Sequence, residues 1–238
     1  MSWRATDLIL VLPAKGDVER DQVAAAWLAA GGAIERLDRF WEPPPLDARR
    51  VRLYGADAFC LVLAQLYGLE LLAPPDDLIA DVPAALLQRA VAITTLGAAL
   101  SGPFPRFVKP LMPKQFAAGV HDRDALARVT AGLPDDTPVI VSEVVTLDAE
   151  ARSFVLDGRV VTTAIYAGAG DVSAAAALAT AIAALPAVPR TCVIDTCLVR
   201  ERGWAFLEAN AAWGAGLNGC DPVAVLPCLA AATIAKAR

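Results

Sequence analysis

The sequence is short of histidine, of paired cysteines and of long hydrophobic runs, and each shortage excludes a class of protein. It contains one histidine, His121, which argues against a histidine-based catalytic triad or zinc site. The five cysteines have neither CxxC nor metal-type spacing, which indicates reduced thiols rather than a disulfide framework. No uninterrupted apolar run reaches the roughly 18 residues that a membrane span needs. The net charge of −5 argues against a nucleic-acid platform, because backbone binding needs a basic stripe.

What the sequence has in quantity is hydrophobic residues, which make up 56% of its 238 positions, many of them alanine. A chain of this length can bury a sizeable core as one large domain or two small ones. The opening stretch MSWRATDLILVLPAKGD has an apolar run too short for a secretory signal, followed by a lysine and an acid. We therefore expect a cytoplasmic protein with no membrane and no nucleic-acid partner. The sequence leaves the oligomeric state open, a homodimer included.

Residues 1–78 are predicted to form a small N-terminal α/β domain of βαβ type with a parallel sheet. Its strands are expected at 7–12 and 51–54. Asp17 is expected to cap the helix between them, which should end at Gly31-Gly32, and a second helix is expected at 56–66. The proline and acid cluster APPDDL then marks a boundary.

From about residue 104 the pattern favours antiparallel strands. Before this point, Pro83 is predicted to open a long helix that runs to about Leu100. Asp157-Gly158, between two runs rich in β-branched residues, is a strong signal for a two-residue hairpin. The remaining predictions are strands at 106–109, 138–145, 152–156 and 159–166, and helices at 122–130, 174–184 and 222–235.

Three oxygen-bearing side chains lie on a second predicted hairpin, formed by residues 193–199 and 204–207. Asp195 is on its first strand, and Glu208 and Asn210 share a face because they are two positions apart. Mg²⁺ prefers carboxylate and amide oxygens, with substrate phosphate completing its coordination. Such a set could hold Mg²⁺ against a polyphosphate. Equally, Asp195 could cap a turn while the other two mark the polar end of a strand.

A lysine-bearing loop follows the strand predicted at 106–109. Lys109 ends this strand, and the next residues, PLMPKQFAAGV, carry small side chains and a second lysine, Lys114. Ammonium and backbone N–H groups of such a loop could neutralise the charge on phosphates. The alternative is a surface loop with two solvated lysines, which these residues taken alone favour.

Several motifs in order resemble the ATP-grasp family, and in particular its bacterial and phage clade distinguished by two arginines and one lysine. They are FVKP with its Gly-Val-ended loop, VIVSEVVTLDAEARSFVLDG, and VIDTCLVRERGWAFLEANAAWGAG. The resemblance covers about residue 50 to the C-terminus and includes YGADAF and a helix bearing Arg89. It implies an α/β (α+β) fold in which the N-terminal βαβ unit (1–78) precedes an ATP-grasp domain (79–238). Two lobes with antiparallel sheets would clasp ATP there, a phosphate-loop lobe at about 104–145 and a metal-site lobe at about 146–238.

The resemblance also implies roles for residues in the phosphate-loop lobe. Lys109 would be the phosphate-binding lysine at a strand end, and Arg89 the preceding basic phosphate contact. Lys114 would lie in the loop that closes on the phosphates. Glu143 would accept a hydrogen bond from the adenine amino group, and backbone groups near Val145 would recognise the edge of the ring.

In the metal-site lobe, the resemblance makes Glu150 the carboxylate that holds the ribose hydroxyls. Asp195, Glu208 and Asn210 become the magnesium ligands. Arg152 becomes the second arginine of the clade, placed to stabilise a transferring phosphoryl group or an acyl-phosphate. The plainer interpretation of Arg152 is a surface residue of the hairpin, paired with Glu150.

The sequence departs from the family pattern at two places. Many ATP-grasp ligases carry a basic residue two positions before the first metal acid, where this chain has Val193, and its phosphate loop lacks the serines of several relatives. We expect an ATP- and Mg²⁺-dependent ligase that joins a carboxylate to an amine through an acyl-phosphate, on a small-molecule or peptide substrate. A small-molecule phosphotransferase and a non-catalytic nucleotide-binding module remain as alternatives, and the sequence identifies neither the acid nor the amine.

Overall fold

The computed structural model describes residues 3–236, which form a mixed α/β fold on four β-sheets. The thirteen strands and seven α-helices of this part are numbered β1–β13 and α1–α7 in chain order. The expected α/β (α+β) class is confirmed. Within the same residues, no helix is both long and apolar enough to cross a membrane.

The N-terminal unit is a three-stranded parallel sheet in the order β2-β1-β3. The carboxylate of Asp17 accepts a hydrogen bond from the N–H of Arg20 and caps the first helix, so the predicted βαβ unit and its cap are confirmed. The middle strand of the chain order, β2, escapes the sequence pattern because its residues AIERL mix apolar with charged side chains. The elements are β1 (Ile9–Pro13), α1 (Val18–Ala29), β2 (Ala33–Leu37), β3 (Val51–Leu53) and α2 (Asp57–Tyr67).

The last elements of the described chain return to this N-terminal unit. Strand β4 (Leu69–Leu71) pairs antiparallel with β13 (Thr233–Ala235). The predicted helix at 222–235 is therefore wrong: α7 spans only Leu226–Ala231. The β-branched Thr233 and Ile234 satisfy their backbone groups on β4 instead, and the Thr233 hydroxyl accepts a hydrogen bond from the N–H of Leu53 at 3.1 Å.

A second sheet, antiparallel and in the order β5-β8-β6-β7, follows the N-terminal unit. The long helix predicted from Pro83 to Leu100 is wrong. A four-residue helix ends at Gln88, which has a positive φ of 52°, and the β-branched run VAITT then pairs with β8 as an edge strand. The elements are α3 (Ala84–Leu87), β5 (Val91–Thr95), α4 (Leu96–Ser101), β6 (Arg106–Pro110), β7 (Gly119–His121), α5 (Arg123–Val129) and β8 (Pro138–Ser142), with a short 3₁₀ helix at Leu78–Ala80.

A third sheet, in the order β10-β9-β11-β12, carries both predicted hairpins, and all its pairs are antiparallel. Asp157 and Gly158 both have positive φ, at 50° and 72°, which is the backbone that a tight two-residue hairpin requires. Both hairpin predictions are confirmed. The elements are β9 (Leu147–Leu156), β10 (Arg159–Gly168), α6 (Val172–Ala183), β11 (Thr191–Val199) and β12 (Gly203–Asn210).

The five cysteines are all free and buried, which confirms the prediction of reduced thiols. Burial raises the pKa of Cys192 to about 12 and that of Cys197 to about 11. These thiols are therefore protonated core side chains and not nucleophiles.

Candidate functional site

The centre of the candidate site is an ion pair across two neighbouring strands. Arg152 on β9 lies directly opposite Asp195 on β11. Its Nε donates to Oδ1 of Asp195 at 2.9 Å and its Nη2 to Oδ2 at 2.6 Å, while its Nη1 donates to the Gly216 carbonyl at 2.9 Å. The Asp195 side chain is 2% exposed. Burial raises the pKa of its carboxyl, and the hydrogen bonds from Arg152 oppose that shift.

The predicted magnesium ligands converge beside this ion pair. Asp195 pairs with Glu208 across β11 and β12, and the Asn210 amide donates to both carboxylates at 3.2 Å. Lys109 Nζ donates to the other oxygen of Glu208 at 3.3 Å. The cluster thus joins three oxygen-bearing side chains to one lysine, which the sequence placed at the end of a distant strand.

The donor set of this cluster suits a hard cation. Among residues 3–236 there is no group of three His, Cys, Asp or Glu side chains that could hold a metal. The cluster instead combines two carboxylates with an amide, and rotating the Asn210 amide by half a turn would present its oxygen to the same point. Because both oxygens of Asp195 are engaged by Arg152, a bound ion would have to share this carboxylate with the guanidinium.

Two clefts meet at Lys109 and Glu208. The larger, of 470 Å³, lies between the phosphate loop and the residues that follow β4, and it contains Asp57, Lys114 and Asn210. The smaller, of 240 Å³, has apolar walls and a polar rim, which is the character of a site for a flat, partly polar ring. The walls are Ile79, Val91, Phe107, Ile140 and Leu207, and the rim contains Arg89, Glu143, Val145, Glu150 and Tyr166.

Arg89 lies in the loop between α3 and β5, so the expected helix at this position is absent. Its Nη1 donates to the carbonyls of Leu87 and Phe206, at 3.0 and 2.8 Å. Burial lowers the pKa of this guanidinium. These bonds fix one edge of the side chain and leave its other N–H groups for the smaller cleft.

The predicted adenine contact, Glu143, has its carboxylate engaged at the rim of that cleft. Arg202 donates to both of its oxygens, at 2.6 and 3.0 Å, and the N–H of Ala90 adds a bond at 3.2 Å. The hydrogen bonds from Arg202 are the main cause that lowers the pKa of Glu143 to about 2. Val145, two residues on, is half-buried against the cleft.

Glu150 and Arg152 both contact Tyr166, a residue that the sequence analysis missed. The Tyr166 hydroxyl donates to Glu150 at 2.7 Å, and its ring lies 5.9 Å from the Arg152 guanidinium carbon. Arg152 pairs with Asp195 and not with Glu150, so the plainer interpretation of Arg152 is wrong. Only the position of Tyr166 near a strand end, opposite Glu150 in the β9–β10 hairpin, could have indicated this contact.

Two further residues at the site come from the N-terminal unit and lack any local signal. Asp57, the first residue of α2, pairs with Lys114 at 2.5 Å. Glu19 on α1 accepts the N–H groups of Leu217 and Asn218, each at 2.8 Å, and so holds the glycine-rich turn that Arg152 also contacts. Both contacts join segments that are far apart in the sequence.

Two lobes of antiparallel sheet over a cleft with basic and acidic residues define the ATP-grasp class, and solved structures agree. A RimK-domain ATP-grasp protein from Sphaerobacter thermophilus DSM 20745 has a TM-score of 0.63 at 18% identity, covering 94% of this chain and 98% of that one. D-cycloserine synthetase DcsG has a TM-score of 0.57 at 16% identity, covering 94% and 99%. The ATP-grasp ligase PsnB, solved with a phosphomimetic precursor variant, Mg and ADP, has 0.53 at 15%, covering 92% of each chain. At such identities the likeness establishes the fold.

Residues 86–228 match a family model described as an ATP-grasp domain, the second family of its clade, and this match covers more than half of the sequence. The chain therefore belongs to this family of ATP-grasp proteins. No curated protein matches it. The resemblance noted from the motifs is thus confirmed at the level of the family.

Proposed function

We propose that this protein is an ATP- and Mg²⁺-dependent ligase that joins a carboxylate to an amine through an acyl-phosphate. The observation that carries the proposal is the junction at Lys109 and Glu208, where the two clefts meet beside the Arg152–Asp195 pair. A nucleotide with its base in the smaller cleft would bring its phosphates to that junction. Support for ATP and Mg²⁺ also comes from PsnB, a ligase that was solved with Mg and ADP.

In this proposal the smaller cleft takes the adenosine. Its apolar walls would sandwich the base, and backbone groups of Glu143 and Val145 would recognise its edge, because the Glu143 carboxylate is already engaged by Arg202. Glu150 would accept from the ribose hydroxyls, with Tyr166 holding its other side. This placement keeps the adenosine away from the acidic cluster, where its phosphates are needed.

The charged residues of the junction would hold the phosphates. Arg89, Lys109 and Lys114 supply positive charge along the two clefts. Asp195, Glu208 and Asn210 would hold Mg²⁺, which when bound neutralises phosphate charge and polarises the transferring phosphoryl group. Lys109 and Glu208 are within 3.3 Å of each other, so the same phosphate could contact the lysine and lie near the metal ligands.

Arg152 would stabilise the charge that develops during phosphoryl transfer. Three of its nitrogens already donate to Asp195 and Gly216, and a guanidinium has five N–H groups. Two N–H groups are therefore left for an oxygen of the γ-phosphate or of the acyl-phosphate. A guanidinium oriented in advance by other bonds loses little on meeting the transition state.

The chemistry proceeds in two displacements. An oxygen of the substrate carboxylate attacks the γ-phosphorus, the bond to the bridging oxygen breaks, and ADP leaves. The amine nitrogen then attacks the carbonyl carbon of the acyl-phosphate, the carbon–oxygen bond to phosphate breaks, and an amide forms as two protons leave the ammonium. Closure of the lobes would exclude water, which otherwise hydrolyses the acyl-phosphate.

A trapping assay tests the proposal. Purified protein with ATP, Mg²⁺, a pool of carboxylic acids and hydroxylamine should release ADP and form a hydroxamate, whereas Arg152→Met should bind ATP yet form none. Mass spectrometry of the same mixture without hydroxylamine identifies the product. A phosphorylated product that never condenses would identify a phosphotransferase instead, and ATP binding without turnover on any acid would identify a binding module.

A further inference from the structure

A third, smaller opening lies beside the junction, between the N-terminal unit and the glycine-rich turn. It measures 220 Å³, below the roughly 300–1,000 Å³ of pockets that enclose drug-sized ligands, so it suits a compact group. Its apolar lining is only alanine and glycine. Its charged or amide lining is Asp57, Arg152, Glu208 and Asn210. We call this opening the acceptor recess.

Asp57 is the one lining residue that the N-terminal unit contributes. Its Oδ2 pairs with Lys114 at 2.5 Å, and its Oδ1 faces Gly214, where an added methyl carbon would lie 3.6 Å away. Within residues 3–236, no hydrogen bond reaches this Oδ1. The Asp57 side chain is 51% exposed, so one oxygen is held by a lysine while the other faces the recess.

The other charges of the recess have partners inside the site. Arg152 is held by Asp195, and Glu208 is held by Lys109 and Asn210. Lys114, by contrast, has a side chain that is 78% exposed and stands on the phosphate loop. An exposed ion pair of this kind contributes little stability, so Lys114 can leave Asp57 at small cost when a stronger anion is present.

We propose that Asp57 anchors the ammonium group of the acceptor substrate, and that it becomes free to do so when ATP draws Lys114 away. The inference rests on the proposed ligase function and adds its acceptor class: a compact primary amine that is cationic at neutral pH. An ammonium on Oδ1 of Asp57 lies in the same recess as Arg152, which faces the reacting phosphoryl group. The recess thus brings the nitrogen next to the place where the acyl-phosphate would form.

The exchange of partners has a thermodynamic consequence. While Lys114 neutralises Asp57, the amine gains little from this carboxylate, and once the phosphates of ATP hold Lys114 the amine gains the full ion pair. ATP and the amine therefore bind with positive coupling, and by linkage each strengthens the other by the same factor.

The experiment uses the trapping assay on the whole chain, with one acid that yields a hydroxamate. Hydroxylamine is uncharged at neutral pH and needs no carboxylate anchor, whereas ethylammonium and glycinamide are cationic probes. In the wild type these cations should suppress hydroxamate formation, and ethanol, an uncharged analogue, should not. In Asp57→Asn the cation concentration needed for half suppression should rise about tenfold or more, with hydroxamate formation and ATP affinity within about threefold of wild type.

Three variants keep the result specific. Asp77→Asn removes an equal charge from an exposed position outside the recess and should behave as the wild type. Gly214→Ala adds one methyl group at van der Waals distance from Asp57 and should weaken suppression by the larger glycinamide more than by ethylammonium. Lys114→Met should weaken ATP binding without reproducing the loss of cation suppression.

The outcomes separate the two proposals. If the wild type forms no hydroxamate with any acid, the ligase function fails, and the acceptor site falls with it. If hydroxamate forms but no cation suppresses it, or if Asp57→Asn and Lys114→Met shift suppression equally, Asp57 is only a support for the phosphate loop and the inference is overturned.

Discussion

Arg152 and Asp195 form a two-point ion pair whose carboxylate is almost fully enclosed, at 2% exposure, while its guanidinium is 12% exposed. The same arginine is also bonded to the Gly216 carbonyl. The pair therefore connects the centre of the third sheet to the turn that faces the N-terminal unit.

Removal of Arg152 should destabilise the protein because it leaves Asp195 buried without a counter-charge. We expect Arg152→Met to lower the free energy of unfolding by about 3–5 kcal/mol, measured by urea denaturation. The double variant Arg152→Met/Asp195→Asn should recover part of this loss, since no unpaired charge remains. Arg190→Met, which breaks an exposed pair with Asp157, is the control and should change little. Equal losses in both single variants would contradict the structural role of the pair.

Lys109 should matter for nucleotide binding and much less for stability. Its pair with Glu208 is partly exposed, so Lys109→Met should cost below about 1 kcal/mol in unfolding experiments. Loss of a hydrogen bond to a charged phosphate is worth about 1.5–3 kcal/mol, so ATP affinity in a calorimetric titration with Mg²⁺ should fall about 10- to 150-fold. Lys15→Met, on an exposed segment before α1, is the matched control. Unchanged affinity in Lys109→Met would remove this lysine from the phosphate site.

The Glu143–Arg202 pair should make stability depend on pH in the acid range. The pKa of Glu143 falls from its usual 4.5 to about 2 in the folded protein, chiefly through hydrogen bonds from Arg202. A carboxyl with a depressed folded pKa stabilises the fold above its unfolded pKa, and this contribution is lost as the pH falls from about 4.5 towards 2.

Wild type and Glu143→Gln should therefore differ in denaturation midpoint at pH 7 and converge near pH 2. Because the pair is exposed, the difference should also shrink in high salt. Glu42→Gln, at an exposed bend, should show neither effect. A difference that stays constant across this pH range would exclude the ion pair as its cause.

The sequence predicts the hairpins of the third sheet well and the junction between the lobes poorly. Asp157-Gly158 and the β-branched runs beside it are local signals, and hydrogen bonds between neighbouring strands follow from them. The apolar run at β5 fits a helix as well as a strand, and only its pairing with β8 decides between them. The same limit explains β13, whose partner β4 is distant in the chain.

The candidate site divides in the same way. The motifs pointed to Asp195, Glu208, Asn210, Lys109 and Arg152, which the structure brings together on adjoining strands. Asp57, Glu19 and Tyr166 carry no motif, because each acts through a contact with a segment far from it in the sequence or across a hairpin. No local pattern records such contacts.

The pairing of β4 with β13 has a consequence for the order in which the protein is made. The largest hydrophobic cluster joins side chains from the N-terminal unit to Ala212, Leu217, Leu226 and Leu229 near the other end of the described chain. While the ribosome is still producing the second and third sheets, the N-terminal unit lacks these partners and keeps apolar surface exposed. Nascent chains arrested after residue 78 should therefore remain protease-sensitive, and protection should arise only once β13 has emerged. The first part of this protein to be synthesised is thus among the last to complete its core.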